Sequence, residues 1–426
     1  MLPLRERPGW QAYIISIPWA IGSVLGPVLG GTLAVKTTWR WIFWFNIPFC
    51  VIAAIGIPVC LRLHLKEGSL WVRLREFDWF GSFMFVAATT SFLIPITWGG
   101  VMYEWQSWRT LVPLIVGVAS LTGFMLYSVY ISRIPLIARS LFNTPTAIVA
   151  YIGTIVQGLI VWSLLYYMPI YFEVAKNYSP ISSGCAVMPF TLTVAPAAVV
   201  VGLIIKKTGR YRPSQFVGWF LTVLGMGLLI YLKKDTSMPA WILMSLVPGV
   251  GLGMLFSALG FAASASVSNA DLPFAGALYS FFRAFGQTLG VAVSGVIFQN
   301  SFKKQILATA YRANADLWSS DASALVQVVK AWSDTGAEGV MKSRVIEAYV
   351  ESLKMVWLVM TVLAGVTFIV SLIWTAEISL TRDLETEQGF RHDLDEKKTN
   401  DMIIFGAVNE SMESFRTARV NGSDAV

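Results

Sequence analysis

Arg283 lies about nine residues inside a hydrophobic run that covers 275–299. A guanidinium at that depth costs at least ~2.5 kcal/mol in lipid, so its position calls for a reason. An inward-facing Arg283 could touch a substrate or pair with a partner during a gating motion. Its long stem could instead carry the charge back to the membrane interface. Gln287 stands one turn further on and shares its helix face. Asn46, Gln157, Tyr166, Tyr167, Thr191 and Thr193 are further polar side chains inside hydrophobic runs. A mostly apolar cavity with a few such groups suits hydrophobic organic compounds. Taken singly, each is more simply a hydrogen bond between two helices.

Other chemistries find no footing. No Asp or Glu lies deep within a hydrophobic run; Glu104, Glu173 and Asp271 sit at run ends or in loops. Proton relays usually rest on such intramembrane carboxylates or on histidines, so the residues themselves show no coupling site. His64 and His392 fall in polar segments without a ligand cluster. Cys50, Cys60 and Cys185 lie in or beside apolar stretches with no CxxC spacing, and are expected to be buried thiols rather than a disulfide framework or metal site. No glycine-rich phosphate loop and no Ser/His/Asp arrangement at membrane depth is present, so neither an enzyme, an ATP-driven pump nor a cofactor is expected. The basic cluster Lys206, Lys207, Arg210 and Arg212 surrounds Gly209, which permits a tight turn. That cluster reads as a topology signal and as a gate.

These residues are positioned by long apolar elements. Of the 426 residues, 55% are hydrophobic and only 13% charged, too few charges to cover a water-facing surface. Ten runs are long enough to cross a bilayer as helices, at 11–34, 40–61, 80–99, 110–131, 147–172, 183–205, 214–232, 240–264, 275–299 and 354–376. The start, before residue 10, is polar and the first run is too long for a signal peptide core. The net charge of +7 follows the loops and points to orientation rather than to nucleic acid. With the N-terminus inside, twelve Lys and Arg fall in short inner segments, among them Arg62, Lys66, Arg73, Arg75, Arg133 and Arg139. Five fall outside: Lys36, Arg109, Lys176, Lys233 and Lys234. Both termini are therefore expected in the cytoplasm. Residues 300–353 are expected as an outside loop with amphipathic helical stretches such as Ala322 to Trp332, and 377–426 as a disordered cytoplasmic tail.

The first run carries Gly22, Gly26 and Gly30 at every fourth position, with Pro27 to kink the helix and Gly31 beside the stripe. Small residues at this spacing let helix backbones approach closely. The ten-residue segment Gly22–Gly31 resembles the antiporter motif in the fifth helix of drug:proton antiporters of the major facilitator superfamily. Trp39–Phe49 is similar to the start of the sixth helix in the fourteen-helix branch of that group. Phe77–Gly81, Gly202–Arg212 and Ala263–Asn300 resemble later segments of the same branch, so the likeness spans roughly residues 5–376, with fungal members looking nearest.

The resemblance implies an all-α integral membrane protein, a major facilitator-type bundle with about ten transmembrane helices present. Residues 1–61 would be the last two helices of an N-terminal six-helix half, whose first four helices would lie before this chain. Residues 62–131 would add two linking helices and 132–376 a C-terminal six-helix half. The implied activity is efflux of drugs, toxins or secondary metabolites in exchange for protons, by alternating access. An uptake permease, such as a siderophore-iron transporter, is the alternative, as is a truncated bundle without a cycle of its own. The implied partners are the lipid bilayer, a small organic substrate and protons, with no nucleic acid. The implied location is the plasma membrane, with the vacuolar membrane as alternative. Gly22, Gly26, Pro27, Gly30 and Gly31 would pack the motif. Asn46, Gln157, Tyr166, Tyr167, Arg283 and Gln287 would line the cavity. Gly209, Arg210 and Arg212 would form the cytoplasmic gate.

Overall fold

Proline marks the beginnings of many helices in this chain. Its fixed φ suits the first helical turn, where its missing N–H would have no partner anyway. Pro145, Pro180, Pro189, Pro213, Pro239 and Pro273 each stand in a first turn. Side-chain caps reinforce several starts: the hydroxyl of Thr144 accepts from the Ala147 N–H (3.2 Å) and that of Ser179 from the Ser182 N–H (3.2 Å).

The computed structural model describes residues 36–60, 77–100, 102–132, 137, 139–269, 271–309, 311, 315–320 and 322–378, with isolated positions between 18 and 33. The helices are α1 (Arg40–Trp44), α2 (Asn46–Cys60), α3 (Trp79–Trp98), α4 (Trp108–Tyr130), α5 (Pro145–Ala175), α6 (Pro180–Ala186), α7 (Met188–Thr208), α8 (Arg212–Leu229), α9 (Met238–Ala265), α10 (Leu272–Leu307), α11 (Ala315–Ser320), α12 (Ala322–Ala331) and α13 (Gly336–Trp374). Described positions between 18 and 33 are helical too. Among the described residues no strand forms; Gly99 and Tyr103 make one isolated bridge. Helices α1 and α2 belong to one unit; α3 to α13 and the described positions before Trp39 form the other.

Eight helical segments among the described residues are long and apolar enough to cross a membrane. They are Arg40–Ile57, Trp79–Trp98, Trp108–Tyr130, Pro145–Ala175, Pro180–Thr208, Met238–Ala265, Leu272–Leu307 and Glu338–Trp374. Helix α8 is more polar at its start, where Arg212, Ser214 and Gln215 stand, but it packs between α9 and α13. Many apolar side chains point away from the bundle. On α13, Val362, Val366, Ile369 and Ile373 are exposed along one face. Such a face suits lipid and not water.

In the larger unit α5 is the central element, packed on α9, α10 and α13. Along its seam with α10, a Cβ on Gly158 would stand 2.6 Å from the Arg283 carbonyl oxygen. Cβ atoms on Gly286 and Gly290 would collide with the Ile155 and Leu159 carbonyls. One turn beyond, Ser294 donates to Ser163 (2.7 Å), both hydroxyls being buried. The stripe Gly286, Gly290, Ser294 is therefore a tight helix seam of the kind small residues permit.

Two expectations change. The segment 300–353 has its expected helical stretch at α12, but the loop is shorter than expected, because α10 runs on to Leu307 and α13 starts at Gly336. These extensions persist because apolar packing continues along them: Phe298 and Phe302 pack against Tyr349 with tilted rings, at 5.6 and 4.7 Å between ring centroids. Outward-facing pairs Arg344–Glu347 and Lys354–Glu351 decorate the α13 extension. At ~1.5 Å per residue, the 39 residues of α13 span roughly 58 Å, well beyond a hydrocarbon core of ~30 Å. The thiols of Cys50 and Cys185 are exposed, not buried. An apolar surface against lipid accepts a thiol that a watery surface would disfavour. His64, His392 and the tail beyond residue 378 lie outside the described residues, as does the side chain of Cys60.

Candidate functional site

Arg283 turns back along α10 toward Tyr279, the direction in which helical side chains lean. Its Nη2 donates to the Phe256 carbonyl on α9 (3.2 Å) and to the Tyr279 hydroxyl. The guanidinium carbon stands 3.5 Å from the centroid of the Phe256 ring and 4.4 Å from that of Tyr279. Two aromatic faces thus supply the attraction that a carboxylate would otherwise give. The Arg283 Nε is buried with no hydrogen-bond partner, and no carboxylate among the described residues pairs with this side chain.

Gln157 of α5 reaches the same face of α9, its Nε2 donating to the Leu252 carbonyl (3.3 Å). Leu252 and Phe256 are one turn apart, so Gln157 and Arg283 hold neighbouring carbonyls of one helix. The Gln157 Oε1 is buried and has no partner. Gln287 lies half-buried one turn beyond Arg283, beside Gly158 of α5. The junction of α5, α9 and α10 therefore gathers three of the expected cavity residues into a polar seam within an apolar bundle.

The other expected cavity residues lie elsewhere. Tyr167 is buried further along α5 against Phe298, and Tyr166 is exposed. Thr191 and Thr193 turn their hydroxyls back to carbonyls of their own helix, Met188 (3.3 Å) and Phe190 (2.8 Å). In the smaller unit the Asn46 carboxamide, at the start of α2, donates back to the Ile42 carbonyl of α1 (3.0 Å). In the glycine stripe, a Cβ at Gly22, Gly26 or Gly30 would meet nothing within 4 Å among the described residues. A Cβ at Gly31 would stand 3.6 Å from the Pro180 carbonyl oxygen, an ordinary contact, and Pro27 is outside the described residues.

At one end of the larger unit the basic turn between α7 and α8 forms a latch. Gly209 ends α7 with φ 71°, a left-handed conformation that suits glycine, and its N–H donates to Ile205 (2.8 Å). The turn places Tyr211 in a fully buried position against the end of α13. Its hydroxyl donates to the Ala376 carbonyl (2.7 Å) and accepts from the Ile378 N–H (3.3 Å). Gln215 adds bonds to Ser371 (2.8 Å) and Thr375 (3.4 Å). The Ala376 N–H in turn donates to Thr146 at the start of α5 (2.9 Å). Of the expected gate residues, Arg210 pairs with Glu377 (3.5 Å) and Arg212 lies over the Phe216 ring (5.1 Å). The sequence reading missed Tyr211, Tyr279 and Phe256. Only the spacing of Tyr279 four residues before Arg283 could have suggested a partner.

A third polar knot closes α3 and α4. The Asp78 carboxylate caps α3 by accepting from the Gly81 N–H (2.8 Å). It also accepts from the hydroxyls of Tyr127 (3.0 Å) and Ser132 (2.8 Å) at the end of α4. Burial alone would raise its pKa, but these bonds hold it below the usual carboxylate value.

Among the described residues no group of His, Cys, Asp and Glu could hold a metal. A family model described as "Major Facilitator Superfamily" matches residues 1–291. The "MFS transporter L2" of Phoma sp. is 47% identical over 391 residues, which cover 92% of this chain and 64% of that relative. The chain thus spans just under two thirds of that relative's length. The "MFS-type efflux pump LUC4" of Fusarium sp. is 30% identical over 94% of this chain and 70% of its own. The "Efflux pump FUS6" of Gibberella fujikuroi is 30% identical over 92% of this chain and 71% of its own. With a helical bundle, membrane-length apolar segments and these likenesses together, the chain is a multi-pass membrane protein that belongs to the major facilitator superfamily.

Proposed function

We propose that this chain works in a secondary transporter that exports small organic molecules by alternating access. The seam at the junction of α5, α9 and α10 carries the reading. It presents an unpaired guanidinium edge and an unpaired carboxamide oxygen, from Arg283 and Gln157, within an otherwise apolar bundle. An amphipathic organic molecule would find aromatic surface and a small number of polar partners there. Two relatives named as efflux pumps align with nearly the whole chain, which supports outward transport of compounds such as drugs, toxins or secondary metabolites. The plasma membrane is the natural location for that task.

Exchange with protons belongs to the same proposal. The carboxylates of the described spans, Glu173 at the end of α5 and Glu338, Glu347 and Glu351 in the first part of α13, stand outside the apolar runs 147–172 and 354–376, so the coupling proton is carried by other groups under this reading. The test is efflux of a hydrophobic fluorescent dye from cells expressing the chain with any preceding coding sequence. Dye export that an ionophore abolishes supports proton exchange. Arg283→Gln should slow export by about tenfold or more, the scale of one lost charged contact. Export that is equally fast in R283Q, at equal amounts of folded protein, refutes the role given to the seam.

A further inference from the structure

At the end of the larger unit opposite the Tyr211 latch, a cavity of about 340 Å³ opens between four elements. Lys176 comes from the end of α5, Lys234 from the turn before α9, Lys330 from α12 and Lys342 from the first turns of α13. Asp334 is the acidic side chain in its lining. Val174, Val329 and Ile346 supply apolar surface. The volume lies within the ~300–1,000 Å³ of small-molecule sites.

The charges here do not cancel. Lys330 pairs with Glu173 (3.1 Å) and donates to the Tyr178 carbonyl (2.7 Å). Lys342, whose side chain is 10% exposed, pairs with Asp334 (2.9 Å) and donates to the Trp332 carbonyl (3.1 Å). Lys176 donates to the carbonyls of Lys234 (2.5 Å) and Thr236 (2.6 Å) but makes no ion pair among the described residues. It feels the charge of Asp235 only at longer range. Lys234 makes no ion pair among the described residues either. Two lysines without a paired carboxylate among the described residues therefore line one concave, partly apolar space. Clustered like charges in a cleft focus a field that attracts the opposite charge.

We infer that this lysine-lined cavity binds the anionic group of a small amphipathic molecule, a carboxylate or phosphate attached to a short apolar body. Lys176 and Lys234 meet the anion, while Val174, Val329 and Ile346 meet the body. Burial holds the Lys176 ammonium below its ordinary pKa, and a bound anion offsets that cost. The anion could come from a soluble organic acid or from a lipid headgroup. The inference does not depend on the direction of transport or on the Arg283 seam.

The test is calorimetric binding to the full chain in phosphatidylcholine nanodiscs. The probes are hexanoate, hexanol, hexylammonium and inorganic phosphate. Hexanoate is expected to bind, with hexanol and hexylammonium at least about tenfold weaker. The K176Q/K234Q variant should weaken hexanoate by about tenfold or more, while K354Q, outside the cavity lining, leaves it unchanged. K234Q alone changes an exposed turn residue and preserves the test if the double variant unfolds. Hexanol binding as well as hexanoate, or hexanoate binding unchanged in K234Q and the double variant, overturns the inference. Repetition in phosphatidylglycerol nanodiscs separates the sources. Competition by that lipid supports a headgroup as the occupant, and unchanged hexanoate affinity supports a soluble acid.

Discussion

Replacing Tyr211 with Phe removes one hydroxyl and almost no volume, so the packing around it survives while the latch loses its centre. The ring is fully buried, and the hydroxyl holds both the Ala376 carbonyl (2.7 Å) and the Ile378 N–H (3.3 Å). A buried polar group stripped of its partner costs ~1–3 kcal/mol. The bond to Ile378 is long, so most of the loss falls on the Ala376 carbonyl and a figure of about 1.5 kcal/mol is appropriate. The Arg210–Glu377 pair cannot compensate, since Arg210 is 70% exposed and exposed pairs contribute ~0–1 kcal/mol. The bonds of Gln215 and Thr146 remain, so the end of α13 opens more often without detaching. Amide hydrogen exchange in detergent should then speed up about tenfold at Ala376 and Ile378, with Leu363 in mid-helix unchanged. The pH dependence gives a second reading. Burial pushes the Tyr211 pKa up to about 12, against about 10 in an unfolded chain. A folded pKa raised in this way means that the fold favours the protonated hydroxyl. Its contribution is complete below pH ~10 and is lost as pH rises through ~12, so Y211F should lack that alkaline loss. Ile378 exchange that is unchanged in Y211F refutes the latch; acceleration spread evenly over all helices would show a packing role instead.

Two further perturbations follow from the geometry. Gly290→Ala puts a Cβ against the Leu159 backbone and should lower stability by ~1–3 kcal/mol, whereas Gly365→Ala on α13 meets open space and should be neutral or stabilising by up to ~1 kcal/mol. Thermal unfolding in detergent separates them, and equal midpoints would remove the α5–α10 seam from the account. Asp78→Ala should loosen α3 from α4 by roughly 2–4 kcal/mol, the sum of a lost cap and two lost hydroxyl bonds to a carboxylate. Because the folded Asp78 pKa is depressed, its contribution is present above pH ~4 and is lost as pH falls through the folded value. Limited proteolysis between α3 and α4 at pH 7 would detect the change, and equal cleavage of both proteins would count against it.

Much of the architecture was legible from composition and spacing. Apolar runs of bilayer length, bounded by Pro and by capping Ser, Thr and Asp, mark helices through short-range physics, and the described helices lie where the runs do. Gly209 was legible for the same reason, since a tight turn between two spans favours a residue that tolerates positive φ. The segment 300–353 was misjudged because its polar residues suggest water, while helix continues wherever one face still finds Phe302 or Tyr349 to pack on. The tertiary structure alone decided which surfaces meet. The glycine repeat in the first run stands out in the sequence, yet a tight seam between described helices uses Gly286, Gly290 and Ser294. A small residue permits close approach, but only the partner helix decides whether it occurs. Arg283 was visible as a charge out of place, but its aromatic neighbour Phe256 lies 27 residues away on another helix. Tyr211 gains its role only from the end of α13, 165 residues later in the chain, which supplies the carbonyl that its hydroxyl holds. Spacing along a chain carries helix-range information, and contacts between distant segments are settled by packing.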